Sequence, residues 1–82
     1  MNLKIVSLNI QEALEDLEKI REEIISNTIN EVEFQMQLQH VYHHLNFAWN
    51  VRHKKTEQYK NMTEEEFRGL GKYPKDLDFD NE

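Results

Sequence analysis

Four histidines, His40, His43, His44 and His53, fall within fourteen residues of this 82-residue chain. Imidazole moves protons near neutral pH and is the commonest metal ligand. His40 and His44 are four apart, so on a helix their rings share one face a turn apart. Paired histidines of zinc-binding helices use that spacing. His40 and His43, three apart, also converge. The other half of each familiar motif is missing. Val41 stands where H-E-x-x-H has its general-base glutamate. Gln37 puts a neutral amide where the Glu-x-x-His ligands of di-iron bundles have a carboxylate. Zinc needs a third or fourth ligand, and near these histidines only Glu33 and Gln37 lie upstream on the His44 side. The expectation is therefore no metal and no other cofactor. Binding of a metal or small molecule through His40, His43 and His44 stands as the second reading.

A polar edge runs alongside. His43, Asn46, Asn50 and His53 follow at spacings of three, four and three. Asparagine favours caps and turns over helix interiors, so two in mid-helix point to side-chain hydrogen bonds with a purpose. Such an edge serves either as a recognition strip or as a network that fixes helix register. Tyr42 and Trp49, seven apart, are expected to be core, with Arg52 beyond them pairing with Glu12 or Glu15. No phosphate-binding glycine loop and no nucleophile elbow is present, so no enzyme is expected.

These residues need a helical frame, and the chain carries one. Two glycines and one proline leave room for long uninterrupted elements. Asn9, Thr28 and Thr63 each precede a glutamate by three residues, the pattern of a capping box. Ile10, Ala13, Leu17, Ile20 and Ile24 repeat at three and four, with Leu14 widening the stripe, which predicts a first helix over 9–27. Phe34, Leu38, Val41, Tyr42, Leu45, Ala48 and Trp49 form one side of a second helix over 31–59. The short connection makes the two antiparallel neighbours. A third helix is expected over 64–70, stopped by a left-handed Gly71, and an irregular acidic tail over 72–82 anchored by Leu77 and Phe79. The fold class is all-α: one small domain built on a long helical hairpin.

The long helix has a second apolar face. Met36, His40, His43 and Phe47 lie about half a turn from Leu38, with Val51 nearby. A surface helix needs only one such face. Flanking segments around Leu3, Ile5, Val6, Phe67 and Leu70 are expected to shield part of it, and a second copy the rest, giving a four-helix homodimer. A chain this short is a marginal core alone. The expected function is therefore a small non-catalytic interaction or regulatory module, working as a homo-oligomer or against a partner protein. Its surface would be Met36, His40, His43, Phe47 and Val51, or the edge of Asn46, Asn50 and His53. Protonation of the histidines would make association pH-sensitive.

Charge and composition narrow the partners. The chain carries 16 acidic and 10 basic residues, for −6. Residues 1–30 and 63–82 hold the excess acid, so both ends repel nucleic-acid phosphates. An acidic amphipathic surface also suits anionic membranes poorly. No run is long enough for a secretory signal or a spanning helix. Cysteine is absent, which excludes disulfides and thiolate metal sites. A cytoplasmic location is expected.

Overall fold

The computed structural model describes residues 1–77. Four α-helices follow in order: α1 Leu3–Ile25, α2 Glu31–Asn50, α3 Thr56–Lys60 and α4 Glu64–Leu70. A 3₁₀ turn, Lys75–Leu77, comes next. The expected acidic stretch from Asp78 to Glu82, with Phe79, lies outside the described residues. The all-α class and the long hairpin are as expected: no strand occurs among the described residues, and α1 packs along α2. Cross-helix pairs Glu23–Gln37, Asp16–His40 and Asn9–His44 set the antiparallel register. No helix is long and apolar enough to cross a membrane.

The hairpin turn follows from its residues. Asn27 is the one non-glycine residue with positive φ, at 55°, among the described residues. The Asn27 N–H donates to Ile24 and the Thr28 N–H to Glu23, two bonds that close the end of α1 in a Schellman motif. The new helix is capped by Asn30, not by Thr28. The Asn30 Oδ1 accepts from the Glu33 N–H at 2.8 Å, and its Nδ2 donates to the Glu33 carboxylate. Both Thr28 and Asn30 are good cap residues, and the two extra residues complete the turn.

Two other boundaries move. Helix α1 begins at Leu3 rather than at Asn9, capped by the Asn2 side chain, which accepts from Ile5 N–H. Asn9 becomes an interior residue, 2% exposed. Helix α2 ends at Asn50, nine residues short of the expected Tyr59. The reason is competition for its carbonyls. Asn2 donates its backbone N–H to Arg52 O at 2.6 Å and its side-chain amide to Lys54 O and Thr56 Oγ1. Those bonds hold the chain in a turn that no glycine or proline announces.

The turn lets α3 and α4 fold back. Ile5, Phe47 and Val51 form one core cluster, with Tyr59, Met62 and Leu70 packed against it. The flanking segments thus cover the Phe47 and Val51 part of the second face, as expected for part of it. A second cluster, Ala13, Ile20 and Val41, lies further along the hairpin. Helix α4 keeps its expected bounds, since Thr63 and Glu66 cap each other through Glu66 N–H to Thr63 Oγ1 and Thr63 N–H to Glu66 Oε1. Gly71, expected in a left-handed conformation, is right-handed instead, with φ −80°.

Candidate functional site

Beside the two apolar clusters lies a set of polar side chains. It is built from Asn9 and Asp16 on α1 and from His40 and His44 on α2. Asn9 and Asp16 are seven apart, His40 and His44 four, so each pair lines one face of its helix toward the other. One ligand atom each from Asp16, His40 and His44 lies within 4.8 Å of the others. The rings of His40 and His44 stand edge to face, centroids 4.6 Å apart.

Each contact in the set has a direction. Asn9 Nδ2 donates to Ile5 O at 2.9 Å and to the Tyr59 hydroxyl at 3.3 Å. That orients its amide, leaving Oδ1 as an acceptor 3.2 Å from His44 Nδ1. An N–H on His44 Nδ1 would donate to it, which in the neutral ring leaves the lone pair on Nε2. Asp16 Oδ2 is 2.7 Å from His40 Nδ1. The approach is close but badly aligned, and this buried oxygen has no hydrogen-bond partner. An unsatisfied buried acceptor costs on the order of 1–3 kcal/mol.

His43 does not join this pair. Its ring packs on Phe47 and Phe67, centroids 4.5 and 4.7 Å away. Burial, and then the neighbouring His44 and His40, hold its pKa below the ordinary imidazole value. A pocket of ≈ 280 Å³ opens here, lined by Asn9, His40, His43, His44, Phe47, Tyr59 and Phe67. His53 stands apart on the exposed turn after α2.

The two asparagines of the polar edge face inward. Asn46 Nδ2 donates to Gly71 O at 2.8 Å. Asn50 Nδ2 donates to Leu70 O at 2.6 Å and Lys72 O at 3.0 Å. Together they hold the end of α4 on α2. Arg52 pairs with Asp76, not with Glu12 or Glu15. It stacks 3.7 Å above the Trp49 ring, whose Nε1 donates to Asp76 at 2.9 Å. Trp49 is half-buried, but Tyr42, expected in the core, is 57% exposed. Of the expected surface residues, Phe47 and Val51 are inside the molecule at 2% and 0% exposure, while Met36 is open to solvent. The sequence reads Asn9 as a helix cap and gives Asp16 no role at a site. Asp16 reads as one more acid on a charged helix face, and only the register of the hairpin sets it opposite His40.

Comparison with protein-family models, with curated proteins and with solved structures finds no match.

Proposed function

We propose that this chain is a small non-catalytic helical module that works as a homodimer, joined through an apolar flank of the α1–α2 hairpin. The observation that carries this reading is the offset between the apolar stripes and the buried faces. On α1, Ile5, Asn9, Ala13 and Ile20 are buried, while Ile10, Leu14, Leu17 and Ile24 are 40–56% exposed. On α2, Val41 and Ala48 are buried, while Phe34, Tyr42 and Leu45 are 38–57% exposed. At 100° per residue the exposed set lies about a quarter turn from the buried one on α1 and about a sixth of a turn on α2, in directions that bring both to the same side of an antiparallel hairpin. Ile24 and Phe34 meet in one shallow groove at the hairpin end, which ties the two sets together.

Contiguous exposed apolar side chains of this kind mark an interaction surface. The flank's seven side chains are 38–57% exposed, and a standard interface buries about 800 Å² per partner. A second copy of the same flank is the matching surface, and two-fold pairing gives a four-helix arrangement. The face first considered for pairing, around Phe47 and Val51, is filled by α3 and α4. None of the four histidines lies on the proposed flank.

Light scattering after size exclusion tests this. The chain is expected to show twice its 10.0 kDa mass. Leu17→Glu and Tyr42→Glu should each return it to a single chain, while Met36→Glu on the opposite side leaves the dimer intact. A single-chain mass at every concentration removes the proposal.

A further inference from the structure

We infer that Asp16, His40 and His44 form a binding site for one divalent cation of the zinc class. This goes beyond the dimer reading and does not rest on it, because the three residues lie away from the proposed dimer flank. Three observations converge. The three ligand atoms lie within 4.8 Å of one another, close enough for one ion to be shared. The Asp16 carboxylate presents a buried oxygen with no hydrogen-bond partner, 2.7 Å from His40 Nδ1, with which it makes an ion pair only when that ring is protonated. A cation between them would satisfy both. Asn9 orients the third ligand: its Oδ1 lies 3.2 Å from His44 Nδ1, and an N–H donated there would leave the lone pair on Nε2. Metal-bound histidines commonly hold their second nitrogen in such a bond.

The donor set chooses the ion. Two imidazoles and one carboxylate suit zinc, with water in the fourth position. Calcium and magnesium prefer six or more oxygens and are poorly served here. Imidazole ligands also accept the neighbouring late first-row ions, so cobalt and nickel should compete for the same place. His40 and His44 also line the pocket beside Phe47 and Tyr59. His43 stays out of the ligand set, since its ring is stacked on Phe47 and Phe67.

Isothermal titration of the metal-free full chain with zinc chloride near neutral pH tests the site. The expected result is one zinc per chain, a higher melting temperature with zinc, and no response to magnesium. His40→Ala and His44→Ala should each weaken binding by about 100-fold or more, and Asp16→Asn by about 10–100-fold. Asp16→Asn keeps the shape of the side chain and can donate to His40, so the metal-free protein should melt no lower than the parent. That pairing of weaker binding with an undiminished metal-free fold separates ligation from a packing role. His53→Ala should bind as the parent does, and so should the Leu17→Glu variant, whatever its oligomeric state. No zinc binding by the parent, or binding that survives Asp16→Asn and His44→Ala but falls with His53→Ala, overturns the inference.

Discussion

Gly71 shows how one atom can matter more than a backbone angle. Its φ is ordinary for any residue. A Cβ there would meet His43 Nδ1 at 2.6 Å and Cε1 at 2.8 Å. The ring has little room to yield, because Phe47 and Phe67 flank it. Gly71→Ala is therefore expected to lower stability by about 1–2 kcal/mol, overpacking outweighing the entropy it removes from the unfolded chain. Gly69, two residues earlier on the open side of α4, has nothing within 4 Å of the same position. Gly69→Ala should stabilise by about 0.5–1 kcal/mol. Urea unfolding of the two variants checks the contrast in sign. Equal shifts would mean that the His43 contact is loose.

Among the elements, α4 depends most on side chains outside it. It has seven residues, too few to be stable alone. Its last carbonyls lack intrahelical partners, and Asn46 and Asn50 supply donors from α2. Asn50→Ala removes two of these bonds and should cost about 1–3 kcal/mol. Hydrogen exchange should show faster opening in α4 than in α1. Unchanged protection of α4 would show that its apolar contacts suffice. The sequence pointed to the purpose of these asparagines through their poor fit to a helix interior. It did not indicate their target, because Gly71 and Lys72 lie more than twenty residues downstream. Helix boundaries divide in the same way. The Thr63–Glu66 box is local and was legible. The end of α2 was not, because the bonds that break it come from Asn2, fifty residues away.

At the scale of the whole molecule, stability depends on pH through two groups outside the Asp16–His40–His44 set, His43 and Asp76. His43 has a folded pKa below its unfolded value near 6.5. The unfolded chain thus takes up its proton first, and stability falls as pH drops below about 6.5. Asp76 is shifted in the same direction: the Trp49 hydrogen bond, with help from Arg52, holds its pKa below the usual 3.8. Its contribution is present above that value and is lost only in strong acid. Urea midpoints measured from pH 7.5 to 5 should therefore decline, and His43→Phe should flatten the decline. A midpoint constant across that range would show that His43 gains its proton without cost. Zinc affinity should fall over the same range, because ligand histidines must be neutral.

Local and periodic features were open to direct reading. The 3.6-residue repeat and the scarcity of glycine and proline require long helices, and the short polar connection requires that they lie antiparallel. Spacing alone put His40 and His44 on one face. Which part of each apolar stripe is buried could not be read this way, since periodicity gives the direction of a stripe and not the contact it makes. Packing buried one edge of each stripe, Ala13 and Ile20 on α1 and Val41 and Ala48 on α2, together with Asn9, and left Leu14, Leu17 and Tyr42 open. The third ligand followed from the same packing. Asp16 meets His40 across twenty-four residues of chain, and a carboxylate acquires a partner at that distance only through the register of two packed helices.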